Sequence, residues 1–210
     1  MPAITAKRTD RKRAILQAAR TLFAHFGPRK VTMADIAQRA HLAKATLYYY
    51  FKSREDILRE IIRNEGAELW RRVNEAVAQE HDPVAKLKAY VHTRFRAIEE
   101  LSVYYSSLTE DYLRNYEFIE TERRTYTELE LKTIEAILEE GVRQGKFEIA
   151  NPRLAAFAIT MAMKGLEYPL IVEKGVEVDG RHLGMDEALD MMLDLLLKGI
   201  LKKTDGHDCS

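Results

Sequence analysis

The segment between Thr32 and Ser53 limits the possible folds most strongly, because it holds two helix-start signals close together. Thr32 is followed by Asp35, and Ser53 by Asp56, at the spacing of a capping box. In that motif the side chains of both residues satisfy backbone amides in the first turn of a helix. The chain between the two caps has room only for a short helix, a tight turn and a second short helix.

A longer helix is predicted before this pair. Its apolar residues recur at helical spacing on one stripe, and Gly27-Pro28 provides a stop signal at its end. A turn is predicted at His41-Leu42, between the two short helices. One longer helix followed by two short helices joined by a tight turn is typical of a helix-turn-helix. The apolar stripe consists of Ile15, Ala18, Ala19, Leu22, Phe23 and Phe26.

The rest of the chain is also predicted to be helical, so we expect an all-α fold. Glycine and proline are sparse, and apolar residues recur about every 3.6 positions nearly throughout. A long helix is expected to run from Ser53 toward Val77 and to join the helix-turn-helix to a C-terminal helical bundle. Further helices are predicted at about Pro83 to Leu101, Ser102 to Tyr116, Glu120 to Gly141 or Gly145, from the Asn151-Pro152 cap onward, and from Met185 to Lys203, with a loop from Lys174 to Gly184.

The charges are divided unevenly along the chain, although the net charge is zero. Residues 1–54 contain twelve Lys or Arg and two acids, which gives a net charge of +10, and the remainder carries −10. Such a basic segment suggests a domain that meets a polyanion such as DNA, and the alternative is a plain gradient of solvated charge. Together with the helix-turn-helix pattern, it places a DNA-binding domain at residues 1–54, a helical body at residues 55–203 and a polar tail at residues 204–210.

From Thr32 to Leu58 the sequence reads TMADIAQRAHLAKATLYYYFKSREDIL, which resembles the DNA-binding signature of the TetR family of bacterial transcriptional repressors. The cap, the IA pair, the TLYYYF stretch and the capped helix that follows all occur at the family's spacing. The resemblance implies a homodimer that binds a pseudo-palindromic operator. It also implies a C-terminal ligand-binding and dimerisation domain, in which a small molecule binds and thereby releases the DNA.

The resemblance also assigns candidate DNA contacts, most of them on the recognition helix KATLYYY. Lysine can reach guanine acceptors or phosphate, threonine a base edge, and tyrosine hydroxyls phosphate oxygens. Leu47 and Phe51 are expected to face the core, and Tyr48 to pack partly beneath the helix. The candidate DNA-binding residues are Thr32, Lys44, Ala45, Thr46, Tyr48, Tyr49, Tyr50, Lys52 and Arg54, with Thr32, Lys52 and Arg54 assigned to the DNA backbone.

Three residues depart from the family's pattern. His41 stands where a glycine is usual in the turn, a position that often needs a positive φ and costs another residue roughly 1 kcal/mol or more. Ala43 replaces the usual capping serine and forfeits about 1 kcal/mol of cap stabilisation. Ala45 replaces a common glycine and favours the helix. These departures affect the register of the base contacts rather than the motif itself.

Aromatic and methionine side chains at helical spacing in the body are usually core residues, but as a set they describe an apolar pocket rimmed by hydroxyls, and the family resemblance implies such a pocket for the effector. Acidic residues near the tyrosines favour a hydrophobic cation through charge and cation–π contacts. Arg94, Arg96 and Arg114 instead favour an anionic head, as of an acyl-coenzyme A. We favour a lipid-like or otherwise hydrophobic effector. The candidate ligand-binding residues are Trp70, Phe95, Tyr104, Tyr105, Leu108, Tyr112, Tyr126, Met161 and Tyr168, and the acids are Glu99, Glu100, Glu110, Asp111 and Glu167.

Dimerisation is predicted from two helices with more apolar surface than one chain would cover. The helix that starts at Pro152 is apolar almost all round, and the last helix has a wide apolar stripe. With a symmetry mate they would form a four-helix interface, and the alternative is a thick core within one chain. The candidate interface residues are Phe157, Met161, Leu189, Leu193, Leu196, Leu197 and Ile200.

Other classes of function have little support in the sequence. The six histidines are scattered, and there is no HExxH pair, GxSxG elbow or phosphate-binding glycine loop, so we expect no enzyme. The single cysteine, Cys209, lies in the polar tail, and no metal or cofactor is expected. No apolar run of membrane-spanning length and no secretory signal are apparent, which favours a cytoplasmic protein. A membrane-surface adaptor with a basic head is a remote alternative.

Overall fold

The computed structural model describes residues 2–101 and 112–201, and the side chains of residues 2–7, 112–120 and 123 lie outside that description. The described chain is an all-α fold, as predicted, with one short hairpin. It divides into two compact units. The N-terminal unit takes its described residues from Met1–Leu69 and Ile98–Arg124, and the C-terminal unit takes them from Trp70–Ala97 and Thr125–Ser210.

The two short helices of the N-terminal unit lie where the sequence predicts them, and the longer helix before them begins at Pro2, so that it includes the basic residues from Lys7 to Arg13. The three helices are α1 (Pro2–Phe26), α2 (Met33–Arg39) and α3 (Lys44–Tyr50). Gly27 ends α1 with a left-handed φ of 77°, and its amide donates to the carbonyl of Phe23 at 2.9 Å. The common core contains Ile15, Ala19, Phe23, Val31, Met33, Ile36, Ala37, Leu47, Phe51, Ile57, Leu58, Ile61 and Ile62.

Phe26 is the exception on the predicted apolar stripe of α1, because its side chain is 53% exposed. The helix ends at this residue and the chain turns away at Gly27, so the ring extends past the core. It packs edge-on against the ring of His25, with centroids 4.6 Å apart. Phe26 therefore lies on the predicted stripe but is not part of the buried core.

The fourth helix, α4 (Arg54–Ala78), is anchored in the N-terminal unit over its first turns. The Oγ of Ser53 accepts a hydrogen bond from the amide of Asp56 at 3.1 Å, as its predicted role as a cap requires. Arg20 on α1 pairs with Glu65, whose side chain is almost fully buried. The compact unit therefore extends beyond residue 54, where the sequence places the boundary. Further ion pairs join Lys12 to Glu60, and Arg59 and Arg63 to Glu122.

The C-terminal unit is built from parts of α4, α5 (Pro83–Glu100) and α6 (Tyr112–Arg143), together with α7 (Pro152–Glu167) and α8 (Met185–Ile200). The predicted break between residues 116 and 120 was wrong, because α6 runs through it. No glycine or proline interrupts the sequence there. The predicted helix from 102 lies largely outside the described residues. Core residues include Leu87, Tyr90, Val91, Phe95, Ile134, Leu138, Ile159, Met163, Leu170, Leu189 and Leu193.

A short β-hairpin lies in the C-terminal unit where the sequence predicts a loop. After α7 the chain makes a π-helical turn, Tyr168–Val172, and then β1 (Val176–Val178) pairs antiparallel with β2 (Arg181–Leu183). The two connecting residues, Asp179 and Gly180, have φ values of 51° and 75°. Positive φ at both positions and an Asp-Gly sequence are typical of a type I′ hairpin turn.

Among the described residues, the stretch Pro152–Val172 has the length and composition of a membrane span. The sequence was expected to contain no apolar run of that length. Core helices of soluble proteins pass the same test, and 39% of its most apolar window is buried inside the chain. Ala156, Ile159 and Met163 on α7 are among the buried residues. We therefore interpret α7 as a core helix that also carries an exposed apolar face.

Candidate nucleic-acid interface

The start of α2 is fixed by the predicted capping box. Thr32 Oγ1 accepts from the amide of Asp35 at 3.2 Å, and Asp35 Oδ2 accepts from the backbone amide of Thr32 at 2.8 Å and from its hydroxyl at 2.7 Å. The hydrogen bond from the Thr32 hydroxyl, followed by the one from its amide, lowers the pKa of the Asp35 carboxyl. A phosphate contact by the Thr32 hydroxyl would therefore have to replace its hydrogen bond to Asp35.

The turn between α2 and α3 has the strained geometry that the sequence predicts. His41 has a φ of 54°, in the left-handed region, and the amide of Leu42 donates to the carbonyl of Ala37 at 2.9 Å. Ala43 precedes α3 without a side-chain cap. The turn is therefore held by backbone hydrogen bonds and by burial of Leu47 rather than by a capping side chain.

Helix α3 presents a polar, aromatic face over a buried apolar one. Leu47 is 0% exposed and Phe51 only 6% exposed, so both anchor the helix in the core as predicted. Lys44 and Ala45 are exposed, and Tyr49 is 72% exposed. A helix of this width fits the major groove of B-DNA, where lysine and hydroxyl groups can reach base edges and phosphates. The exposed face of α3 is the candidate DNA-reading surface.

Two tyrosines of α3 differ from the prediction. Tyr48, expected to pack partly beneath the helix, is 47% exposed, whereas Tyr50 is half-buried against the core. The reason is helix phase, because Tyr50 lies about 60° from Leu47 and Tyr48 about 100° from it. The rings of Tyr49 and Tyr50 still meet edge-on at 5.2 Å. Thr46 is half-buried on the same helix.

Lys52 and Arg54 also occupy different environments. Lys52 is exposed and suits a phosphate contact. The Arg54 guanidinium instead donates from Nη1 to the carbonyls of Arg29 and Val31, at 2.8 and 3.1 Å, and pairs with Glu55 at 2.7 Å. Since it is committed to the chain itself, Arg54 is better described as a positioning residue than as a contact to the DNA backbone.

The structure adds basic residues that were not among the candidate contacts. Arg29 and Lys30 are exposed in the loop immediately before Thr32, and Arg8, Arg11 and Arg13 are exposed on α1. Phosphate contacts depend on charge and reach rather than on a sequence motif. The excess of basic residues in residues 1–54 was the signal that pointed to them.

Comparison with known proteins agrees with this geometry. Residues 15–61 match a family model described as bacterial regulatory proteins, tetR family. The HTH-type transcriptional repressor KstR2 of Rhodococcus jostii (strain RHA1) is 34% identical over 147 residues, which cover 68% of this chain and 71% of that protein. The chain belongs to the TetR family. The resemblance read from residues 32–58 is thereby confirmed, and the TetR relatives are transcriptional regulators rather than enzymes.

Solved structures show the same TetR fold over nearly the whole chain. The fatty acid degradation regulator FadR from Bacillus halodurans superposes with a TM-score of 0.73 at 19% identity, covering 90% of this chain and 95% of that one. AibR, solved in complex with isovaleryl coenzyme A and operator DNA, gives a TM-score of 0.62 at 22% identity, covering 89% and 98%. At these identities the likeness establishes the fold.

The predicted ligand residues of this TetR-family chain occupy different places. Tyr104, Tyr105 and Leu108 lie outside the described residues, as does the side chain of Tyr112. Phe95 is fully buried in the core, so it offers no surface to a ligand in this structure. Tyr126 and Trp70 are half-buried, and Trp70 lines an open groove of the C-terminal unit; Met161 and Tyr168 are 40% and 49% exposed.

The predicted interface residues also divide into two groups. Leu189, Leu193 and Leu197 are buried within the C-terminal unit, so they belong to the core of a single chain. Leu196 and Ile200 are half-buried. Phe157 is 50% exposed, and Met161 shares its face of α7. Leu189, Leu193 and Leu197 on α8 therefore pack within the single chain and not against a second subunit as predicted.

Arg94 and Glu167, each proposed to meet an effector charge, bind one another instead. Arg94 Nε donates to Glu130 at 2.6 Å and its Nη2 donates to Glu167 at 2.5 Å. The Arg94 side chain is 1% exposed, and the two carboxylates are nearly as buried. Burial of a charge is tolerated only when it is paired in this way. This cluster of Arg94, Glu130 and Glu167, the buried triad, joins α5, α6 and α7.

Proposed function

We propose that this TetR-family regulator is a cytoplasmic repressor that binds a pseudo-palindromic operator as a homodimer and is released by a small hydrophobic acyl compound. The observation that carries the DNA-binding part is the exposed surface of α3, where Tyr49 lies about 160° from the buried Leu47 and Lys44 is exposed at the start of the helix. Such a helix can enter the major groove, and the basic residues around it supply phosphate contacts.

The acyl effector is favoured over a cation by the names of fold neighbours and by the exposure of two candidate acids. The buried triad does not discriminate, because it pairs Glu167, a candidate partner of a cation, with Arg94, a candidate partner of an anionic head. Glu99 and Glu100 are exposed, where water screens their charge. Fold neighbours named for fatty acid degradation and for a complex with isovaleryl coenzyme A are consistent with an acyl-coenzyme A.

The effector proposal is tested by operator release. We expect an acyl-coenzyme A to weaken binding of an operator, selected from random duplexes by the wild-type protein, by about 5- to 150-fold, the usual range of allosteric coupling. Fluorescence anisotropy of the labelled operator measures this across a series of acyl chain lengths. Coenzyme A without an acyl chain is the matched control. Release by the hydrophobic cation tetraphenylphosphonium, with no response to any acyl-coenzyme A, would overturn the acyl assignment.

The dimer proposal rests on apolar side chains that the single chain leaves exposed. On α7, Leu154, Phe157 and Met161 are 62%, 50% and 40% exposed, and their spacing places them on one face. On α8, Met191 and Leu195 are 51% and 72% exposed. Exposed apolar surface on two helices is typical of an association site. These residues replace Leu189, Leu193 and Leu197 in the proposed interface.

Charge placed on this surface is expected to separate the subunits. The double variant Phe157→Glu with Leu195→Glu should be a folded monomer, because both side chains already contact water in the single chain. Light scattering gives the mass, and far-UV circular dichroism checks the helical content. Leu195→Met is the matched control and should remain dimeric. A double variant that keeps the mass of a dimer would exclude this surface as the interface.

A further inference from the structure

A groove of about 400 Å³ lies in the C-terminal unit between α4, the start of α5 and the second half of α6. Its apolar floor includes Trp70 and Val77 from α4 and the buried Ile137 from α6. The α6 residues recur three and four positions apart, so one face of that helix lines the groove. The complete lining is Trp70, Val77, Lys86, Leu129, Lys132, Thr133, Ala136, Ile137, Glu140 and Arg143.

The charged residues of this groove leave an excess of positive charge. Lys86 Nζ is held by both oxygens of Glu140, at 2.8 and 2.7 Å, so that pair is neutral. The side chains of Lys132 and Arg143 are 64% and 68% exposed, and among the described residues each is paired with a carboxylate 3.9 Å away on its own helix. Exposed pairs at that distance contribute little, so both cations can turn toward a bound anion.

This excess stands out because residues 55–210 carry a net charge of −10. Most charged side chains in residues 55–210 are acidic and repel an approaching anion, whereas Lys132 and Arg143 attract it. An apolar floor with cations at its rim complements a molecule that has an apolar part and an anionic head. A neutral or cationic ligand would gain nothing from these two side chains.

We propose that this groove binds the anionic head group of the acyl effector, with the apolar part of the ligand against Trp70. The inference rests on the proposed function for the identity of the ligand as an acyl compound. The anion is either the phosphates of a coenzyme A thioester or the carboxylate of a free fatty acid. Lys132 and Arg143 contact it, and Ile137 and Val77 form the floor beneath it.

The fluorescence of Trp70 can report ligand binding in the groove, because Trp70 is the only tryptophan in the sequence. The full-length protein is titrated with lauroyl-coenzyme A, coenzyme A and laurate while the fluorescence of Trp70 is recorded. We expect a saturable change with lauroyl-coenzyme A and with at least one of the other two, and the responding one identifies the phosphates or the carboxylate as the anion. No change with any of the three overturns the groove site.

Charge reversal then tests the two cations. In the variant Lys132→Glu with Arg143→Glu, the half-saturating ligand concentration should rise at least about tenfold. Lys88→Glu reverses an exposed charge of α5 outside the groove and should bind as the wild type does. An unchanged half-saturation in the double variant overturns the groove, and so does a changed mass in light scattering, which would assign it to a subunit contact.

Measurements of operator release distinguish the proposal that the groove binds the ligand from the proposal that an acyl compound is the effector. If lauroyl-coenzyme A releases the operator from wild type and double variant at the same concentration, the effector class stands and the groove assignment fails. If the three ligands bind the groove but none releases the operator, the groove stands and the proposed effector fails. A rise of about tenfold in the releasing concentration, seen only in the double variant, supports both.

Discussion

Changing Lys44 and Tyr49 together to alanine is expected to weaken operator binding about 100-fold and to leave the proposed dimer intact. Both side chains are exposed on α3, so their loss removes no core contact. A good contact to a base edge contributes roughly 1–3 kcal/mol of discrimination, and two contacts near 1.4 kcal/mol each correspond to a factor of 100. The fold should persist because Leu47 and Phe51 anchor the helix.

The measurement is anisotropy on the selected operator and on a scrambled duplex at one fixed salt concentration. Affinity for the scrambled duplex should fall much less, because nonspecific binding depends on phosphates. Lys88→Ala removes an exposed lysine from the C-terminal unit and should leave both affinities unchanged. Tyr50→Phe keeps the half-buried ring and isolates its hydroxyl. Operator binding within about threefold of wild type in the Lys44, Tyr49 double variant would refute the proposed reading face.

Replacing Arg94 by methionine is expected to destabilise the protein by about 3–5 kcal/mol, because it leaves Glu130 and Glu167 buried without their cation. Typical domains have only about 5–15 kcal/mol in total, so the variant should unfold at much lower urea. Far-UV circular dichroism and the fluorescence of Trp70, which lies in the same unit, follow the transition.

A compensated variant distinguishes charge from shape at this site. Changing Arg94, Glu130 and Glu167 together to methionine removes all three charges and should recover most of the stability lost in Arg94→Met. If Arg94→Met unfolds at the same urea concentration as wild type, pairing of Arg94 with Glu130 and Glu167 does not stabilise the fold. If the triple variant is no more stable than Arg94→Met, packing rather than charge dominates at this position.

Local signals explain what the sequence could predict. The capping box of Thr32 and Asp35 and the end of α1 at Gly27 each involve residues only a few positions apart in the sequence. Their geometry therefore follows from short-range hydrogen bonding. The positive φ of His41 was instead predicted from the resemblance, because the family usually has a glycine at that position. The hairpin at Asp179-Gly180 also carried a local signal, which was missed because its strands are only three residues long.

Long-range contacts explain most of the errors. Nothing near Arg54 in sequence indicates that its guanidinium will bind the carbonyls of Arg29 and Val31. Arg94 likewise meets Glu167 across 73 positions, so its burial could not be read from the pattern of α5. The exchange of Tyr48 and Tyr50 has a different origin, since helix phase places Tyr50 about 60° from the buried Leu47 and Tyr48 about 100° from it, a difference that the sequence-based prediction did not use.

The hydrogen bonds of Arg54 have a mechanical consequence for signalling. They tie the first turn of α4 to the loop that leads into Thr32, so the two segments behave as one stiff linkage. A small rotation of the first turn of α4 is therefore expected to move Thr32 at the start of α2, because the hydrogen bonds restrain the loop between them. If an effector acts as proposed, a small tilt of the first turn of α4 would change how the helix-turn-helix contacts DNA.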